Sequence, residues 1–201
     1  MEIVCLDLEG VLIPEIWIDF AERTQIDALK ATTRDVPDYD VLMRQRLALL
    51  DQHQLGMDSI EQVISGMAPL PGARDFVDWV RARYQLVILS DTFYEFARPL
   101  MAQLGWPTLF CHRLRVGSDG RIKNYELRMS DHKRAAVEAF KGLNFRTVAA
   151  GDSYNDTSML AEAHHGMLFR PPQNVIDEFP QFPVCTDYEE LKTRIDEAFR
   201  A

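Results

Sequence analysis

Three apolar runs along the chain have the length and composition of buried β-strands. They are "EIVCLDL" (2–8), "YQLVILS" (84–90) and "FRTVAAG" (145–151), and each ends at a cluster of polar residues. Short continuous apolar runs of this kind are typical of parallel strands that are covered on both faces. The pattern therefore predicts three buried strands of one parallel sheet.

Segments with helical periodicity alternate with these strands. Residues 72–84 precede the second strand, residues 132–143 precede the third, and residues 153–166 follow it. Gly166 stands where a C-cap would end the last of these helices. Because such alternation builds a parallel sheet covered by helices, the sequence predicts an α/β fold.

The stretch between the first and second strands breaks this alternation. It contains three amphipathic helical patterns and no strand pattern, and the helical patterns span 16–32, 38–54 and 59–67. We therefore expect a small helical domain at 15–69, inserted into a core that consists of 1–14 and 70–201.

Two further regions complete the pattern. Residues 109–128 alternate in polarity around a "GSDG" turn, which predicts a short hairpin or strand pair. The tail holds a weak strand at 166–169 and a closing helix at 187–199.

Composition and charge narrow the possible functions. The 201 residues are 47% hydrophobic and carry a net charge of −9, with an isoelectric point near 5.0. Such a chain lacks the broad basic surface that nucleic acids require, so we expect no nucleic-acid partner. No apolar run approaches the ~18 residues of a membrane span. With three scattered cysteines and no basic, apolar leader, we expect a soluble cytoplasmic protein.

Polar side chains follow each of the three predicted strands or begin a helix. These candidate site residues are Asp7, Glu9, Ser90, Asp91, Lys133, Asp152 and Asp156. In an open α/β sheet, ligands bind outside the carboxyl ends of the strands. Any one of these residues alone is most simply a helix cap or a surface residue, but the set in this order predicts one shared crevice.

Several carboxylates in one crevice cannot all remain ionised without a cation. Two of them ~4 Å apart repel by about 4 kcal/mol at an effective dielectric constant of 20. An all-oxygen ligand set suits Mg²⁺, and a lysine with a serine hydroxyl beside it suits a phosphoryl group. Asp7 is the candidate nucleophile that would form an aspartyl-phosphate, and Glu9, two residues on, is the candidate general acid and base.

The segments "DLEGVL", "LVILSDT", Lys133 at a helix start and "AAGDSYNDTSML" resemble the four motifs of the haloacid-dehalogenase superfamily of phosphatases. The cap segment "LMRQRLALL" resembles the phosphoserine phosphatase branch. The "DLEG", "LSDT" and "GDSYND" variants are most similar to the bifunctional members that also transfer the phosphoryl group from phosphoserine to homoserine. The resemblance covers the whole chain and implies a Rossmann-like parallel-sheet core with a helical cap after the first strand.

The resemblance also implies roles for the residues at the motif positions. Asp7 would be the nucleophile and a Mg²⁺ ligand, and Glu9 would be the acid and base and give the metal its backbone carbonyl. Asp152 would bind the metal directly, with Asp156 in support. Three further residues would hold the phosphoryl group or substrate, namely Ser90, Lys133 and Asn155.

In the cap, Glu15 would pair with the substrate ammonium and Arg46 with its carboxylate. Arg44 lies on the same helix, and only the family position favours Arg46. Trp17, Phe20 and Met43 could line the substrate pocket, although we expect them in the core of the cap.

Five positions depart from the family pattern. Glu9 replaces the usual aspartate, Val11 replaces a threonine, and Ser153 replaces a glycine. Asp91 and Thr92 stand where small glycines are usual, so the Asp91 carboxylate could face the phosphate, the substrate ammonium or a bound acceptor.

Two other readings of the sequence stay open. One is a related phosphatase for another small phosphomonoester, since "DLEG" also resembles the first motif of enolase-phosphatases. The other is a receiver domain switched by phosphorylation, but such domains lack a helical insert and the late acid pair Asp152 and Asp156. The sequence does not indicate the oligomeric state.

Overall fold

A seven-stranded sheet forms the centre of the protein. The computed structural model describes residues 1–32, 35–36 and 38–200. The strands are β1 (Glu2–Leu6), β2 (Gln85–Phe93), β3 (Thr108–Val116), β4 (Ile122–Glu126), β5 (Arg146–Gly151), β6 (His165–Phe169) and β7 (Val184–Cys185). Their order is β4-β3-β2-β1-β5-β6-β7, and only β4 pairs antiparallel to its neighbour. The predicted α/β fold is therefore confirmed.

Nine α-helices accompany the sheet in the part of the chain that the structure describes. They are α1 (Ile16–Thr24), α2 (Tyr39–Gln52), α3 (Met57–Ser65), α4 (Ala73–Arg81), α5 (Tyr94–Gln103), α6 (His132–Gly142), α7 (Thr157–Glu162), α8 (Gln173–Glu178) and α9 (Tyr188–Arg200). Two 3₁₀ turns, at Asp27–Lys30 and Tyr154–Asp156, complete the set.

The register of β1 brings three polar segments to one edge of the sheet. Leu6 pairs with Ile88 of β2 and with Ala150 of β5, so the carboxyl ends of these central strands lie side by side. The backbone N–H of Asp7 then donates to the carbonyl of Ala150 at 2.9 Å. Residues that follow these strands therefore meet at the same edge.

The segment between β1 and β2 is helical, as its pattern predicts, but its first helix is shorter than expected. Helix α1 ends at Thr24, because Gln25 adopts a left-handed conformation with φ 57° and its N–H caps the helix end. The chain continues in the 3₁₀ turn. The division into a cap at 15–69 and a core stays a prediction, since buried apolar residues of both parts share one cluster.

The predicted hairpin at 109–128 is confirmed by the antiparallel strands β3 and β4. Polar contacts join the hairpin to the helical segment. The Tyr125 hydroxyl donates to Asp40, Arg121 pairs with Asp51 at 2.6 Å, and the N–H of Met57 donates to the Gly120 carbonyl at 2.8 Å.

Gly166 does not end a helix, and that prediction was wrong. Helix α7 stops at Glu162, and Gly166 lies inside β6. A Cβ atom at position 166 would come within 2.3 Å of the Leu160 carbonyl oxygen, so the glycine permits the helix to pack close to the strand. The sequence pattern also failed to predict α5, α8 and β7.

None of the helices formed by the described residues has the length and hydropathy of a membrane span.

The close approach at Gly166 predicts a large stability difference between two glycine substitutions. Gly166→Ala should lower the free energy of unfolding by roughly 1–3 kcal/mol, because the methyl group overlaps backbone. Gly142→Ala is the matched control, since its Cβ meets nothing within 4 Å at the end of α6, and a helical alanine gains up to about 1 kcal/mol. Urea unfolding of both variants measures the difference, and equal stabilities would contradict the packing.

Candidate active site

A buried lysine lies at the centre of the polar edge of the sheet. Lys133, the second residue of α6, is only 2% exposed. Its Nζ donates to Asp7 Oδ1 at 2.9 Å and to Asp156 Oδ1 at 2.7 Å, and it lies 3.3 Å from Asp91 Oδ2. Burial alone would lower the pKa of Lys133, but the carboxylates of Asp156, Asp7 and Asp91 raise it well above the usual value. The lysine therefore stays charged.

The loop after β5 positions two of the predicted acids. Asp156 is fully buried, and its Oδ2 accepts the backbone N–H groups of Asp152 and Ser153 at 3.0 and 3.1 Å. Because its Oδ1 accepts from Lys133, both oxygens are already bonded. Carboxylate oxygens of Asp7, Asp152 and Asp156 all lie within 4.8 Å of one another.

The glycine of "DLEG" permits this approach. Gly10 has φ +75°, and a Cβ atom there would lie 2.4 Å from Asp152 Oδ2. Any side chain at position 10 would thus displace the Asp152 carboxylate, in addition to straining the backbone.

Crowding perturbs the acids of this cluster. Burial, and next the Asp156 carboxylate, raise the pKa of Asp7 well above its usual value despite the neighbouring Lys133. The same two causes raise the pKa of Asp152 to about 7. Both carboxyls therefore bind a proton more readily than free aspartates do, and a cation would stabilise their ionised forms.

The ligand types present fit a hard divalent cation. Among the described residues, Lys133 is the only cation close enough to neutralise the carboxylates of Asp7 and Asp152, so both offer oxygen atoms to a metal. Asp156, by contrast, is already bonded at both oxygens. Oxygen ligands of this kind are those that Mg²⁺ prefers. The carboxylate of Glu9 does not belong to this group, so its expected contribution is limited to the backbone carbonyl.

Glu9 lies on the side of the site that faces the helical segment. Its Oε2 accepts the backbone N–H of Ile16 at 2.9 Å, at the start of α1. Burial, and next the charge of Glu15, raise the pKa of Glu9 to about 8. Glu9 is therefore mainly protonated at neutral pH and can donate a proton.

Arg46 is buried in the helical segment, and none of the carboxylates that the structure describes forms an ion pair with it. It is 7% exposed, one guanidinium nitrogen donates to the Ala31 carbonyl at 2.8 Å, and the guanidinium lies 4.5 Å from the centre of the Trp17 ring. Its Nε has no hydrogen-bond partner among the described residues. Burial lowers the pKa of Arg46 to about 10, so the group remains a cation at neutral pH. Such a cation is suited to an anionic ligand.

The neighbouring residues of the helical segment behave differently. Arg44 is exposed and forms an i,i+4 ion pair with Asp40 at 2.7 Å. Trp17, Phe20 and Met43 are buried in the main hydrophobic cluster, as expected. Glu15 is exposed at the start of α1.

Ser90 and Asn155 complete the predicted set. Ser90 is 2% exposed, and its Oγ accepts the N–H of Thr92 at 3.3 Å. Asn155 donates from Nδ2 to Asp91 Oδ2 at 2.6 Å, so its amide is directed at that carboxylate in this structure.

Sequence reasoning missed two buried histidines beside Asp91. His132 Nε2 lies 3.1 Å and His112 Nε2 lies 3.5 Å from Asp91 Oδ1. Burial alone would raise the pKa of Asp91, but Lys133 and then His112, His132 and Asn155 lower it well below the usual range. The adjacency of His132 to Lys133 was a possible signal, whereas nothing in the sequence indicated His112.

Solved structures share this fold over nearly the whole chain. One, described as a phospho-aspartyl intermediate analogue of phosphoserine phosphatase, has a TM-score of 0.76 at 22% identity, covering 96% of this chain and 98% of the other. A substrate-bound phosphoserine phosphatase complex also has a TM-score of 0.76, at 21% identity, covering 96% and 97% of the two chains.

Curated relatives are much closer in sequence. "Phosphoserine phosphatase ThrH" of Pseudomonas aeruginosa is 65% identical, covering 96% of this chain and 94% of its own. A phosphoserine phosphatase of Pseudomonas syringae pv. tomato is 62% identical, covering 96% and 81%. The family model for haloacid dehalogenase-like hydrolases matches residues 1–164. The chain therefore belongs to the haloacid dehalogenase-like hydrolases.

Proposed function

We propose that the protein is a Mg²⁺-dependent phosphoserine phosphatase that also transfers the phosphoryl group from phosphoserine to homoserine. The hydrolase family and the names of the curated relatives support the phosphatase activity. The observation that carries most weight is the buried contact of Lys133 with Asp7 and Asp156, because it places an ammonium beside a candidate nucleophile.

The proposed reaction begins with attack of an Asp7 carboxylate oxygen on phosphorus. The bond between phosphorus and the serine oxygen breaks, and Glu9 donates its proton to that oxygen. Glu9 then accepts a proton from water or from the homoserine hydroxyl as this acceptor attacks the aspartyl-phosphate. Free phosphate or phosphohomoserine leaves, and Asp7 is regenerated.

Binding groups hold the substrate during these steps. Lys133 and Ser90 would bind phosphoryl oxygens, and the residues that would hold Mg²⁺ are Asp7, Asp152 and the Glu9 carbonyl, with Asp156 in support. When bound, the metal neutralises negative charge on the phosphoryl group and the carboxylates. In this mechanism Asn155 and Asp91 would contact the substrate close to its phosphoryl group and take no part in the chemical steps.

The helical segment supplies selectivity for an amino-acid phosphate. Arg46 carries a positive charge with no carboxylate in ion-pair distance within the described part of the chain, which suits the substrate carboxylate. Glu15 would hold the substrate ammonium. In this proposal residues 15–69 act as a cap that excludes water and so favours transfer over hydrolysis.

A cytoplasmic location is also part of the proposal. The three cysteines, Cys5, Cys111 and Cys185, are all buried free thiols, as a reducing compartment permits.

Incubation with phosphoserine and Mg²⁺, with and without homoserine, tests the reaction. Phosphorus NMR should detect free phosphate in both mixtures and phosphohomoserine only when homoserine is present. Asp7→Asn should reduce both products by roughly 1,000-fold or more, since it removes the nucleophile. Free phosphate alone would refute transfer. Turnover of an aryl phosphate without turnover of phosphoserine would refute the substrate, and an active Asp7→Asn variant would refute the nucleophile.

Arg46→Lys tests the recognition of the substrate carboxylate. It keeps the charge but loses the planar fork of donors, so kcat/KM for phosphoserine should fall by about 10–100-fold. For p-nitrophenyl phosphate, which has no carboxylate, the change should stay within about threefold. Arg44→Lys is the matched control, because Arg44 pairs with Asp40 on the surface, and it should leave both substrates unaffected. Equal losses on both substrates in Arg46→Lys would contradict the assignment.

The perturbed carboxyls predict how stability depends on pH and Mg²⁺. The pKa values of Asp152 and Glu9 rise on folding from 3.8 and 4.5 to about 7 and about 8. At pH values between the unfolded and the folded pKa, the folded protein binds more protons than the unfolded chain. The free energy of unfolding without metal should therefore decline as pH rises from about 4 to 8. Mg²⁺ should raise the melting temperature, most strongly near pH 8.

Asp152→Asn is the variant that tests this link. It should flatten the decline of stability with pH and abolish most of the stabilisation by Mg²⁺. Calorimetry at several pH values, with EDTA or Mg²⁺, measures both effects. A Mg²⁺ response equal to that of the wild type would show that the ion binds elsewhere.

A further inference from the structure

The two histidines beside Asp91 have no part in the proposed chemical steps, although both are buried. His112, on β3, is 3% exposed, and His132, at the start of α6, is 4% exposed. Their rings lie 4.6 Å apart between centroids. Both direct Nε2 at the same oxygen of Asp91, and the other oxygen of Asp91 faces Lys133 and Asn155.

Hydrogen bonding fixes the tautomer of His112. Its Nδ1 lies 3.1 Å from the backbone N–H of Arg128, which can only donate, so Nδ1 is the acceptor. The ring hydrogen of neutral His112 is therefore on Nε2, where it faces Asp91 Oδ1. For His132, Nε2 lies 3.1 Å from an oxygen that can only accept, so its hydrogen is also on Nε2.

This protonation pattern argues against a metal site, although the three side chains are close enough for one. A metal would need the lone pair of Nε2 on both rings, which moves each ring hydrogen to Nδ1. For His112 that hydrogen would point at the backbone N–H of Arg128, so two donors would face each other. For His132 it would be buried without an acceptor, because Nδ1 has no partner among the described residues.

The negative charge of Asp91 would interfere with phosphoryl binding if the cluster did not restrain the carboxylate. Its Oδ2 lies 3.3 Å from the lysine that would bind the phosphoryl group, so a carboxylate free to rotate would compete with the phosphoryl oxygens and repel them. The donors on Oδ1 and the Asn155 amide on Oδ2 hold the carboxylate in one orientation and share its charge.

We propose that His112 and His132 are positioning residues, which hold the Asp91 carboxylate so that it steadies Lys133 without blocking the phosphoryl site. This inference rests on the proposed function only in that Lys133 binds the phosphoryl group. Neither histidine contacts the substrate, and each acts through Asp91.

A double-mutant cycle tests this mode of action. His132→Leu removes the donor to Asp91, and His132→Asn removes it while keeping a polar group, because its shorter amide ends near the position of Nδ1. Both should raise KM for phosphoserine and the inhibition constant of inorganic phosphate by about tenfold, with kcat within about threefold. His132→Gln, whose amide nitrogen reaches the position of Nε2, should stay within about threefold of wild type on every constant.

The second half of the cycle removes the carboxylate. In an Asp91→Ala background, His132→Leu and His132→Asn should change the phosphate inhibition constant by less than about twofold, because there is no charge left to position. Equal effects in both backgrounds would show that His132 acts through packing alone. No effect of either variant in the wild-type background would also overturn the proposal.

Two further measurements keep the outcome interpretable. Thermal unfolding confirms that each variant is folded at the assay temperature. The phosphate inhibition constant is also measured with p-nitrophenyl phosphate as substrate. If phosphoserine is not turned over but the aryl phosphate is, the proposed substrate fails, and the cycle on phosphate binding still decides the role of the histidines.

Discussion

The ion pairs of Lys133 are the interaction on which the rest of the site depends. One buried ammonium contacts Asp7, Asp156 and Asp91, which come from the ends of β1, β5 and β2. Removing one partner from a buried charged network of this kind typically costs about 3–5 kcal/mol, because the remaining charges are left uncompensated. The three strand ends are thus held together by electrostatics as well as by the sheet.

The same contacts leave the site short of positive charge. Lys133 neutralises one negative charge, whereas Asp152 and Asp7 retain raised pKa values and Glu9 remains largely protonated at neutral pH. A divalent cation and a phosphoryl group would alter this balance in opposite directions. In the proposed function, metal and substrate would therefore each compensate for charge that the other brings.

The sequence predicted the parts of the fold and site that depend on local pattern. Asp7 and Asp152 follow apolar strands, and Ser90 lies in the last part of another. Because these parallel strands end at the same edge of the sheet, the three residues lie close together. Gly166 was misassigned because a glycine after a helical pattern looks the same in sequence in two cases. It can cap the helix, or it can lie in a strand that packs closely against the helix. The Asp91 cluster could not be predicted, since His112 reaches it only through the pairing of β3 with β2.

The central position of β1 has a consequence for how the protein is made. Of the seven strands, β1 is synthesised before the others, yet one of its partners, Arg146 of β5, lies 144 positions after Glu2. Until that partner leaves the ribosome, one edge of the apolar strand "EIVCL" has no neighbour, and a pairing so distant in sequence closes slowly. The carboxylate of Asp7 therefore cannot meet those of Asp152 and Asp156 until the loop after β5 has been synthesised, so the proposed metal site can form only at that stage.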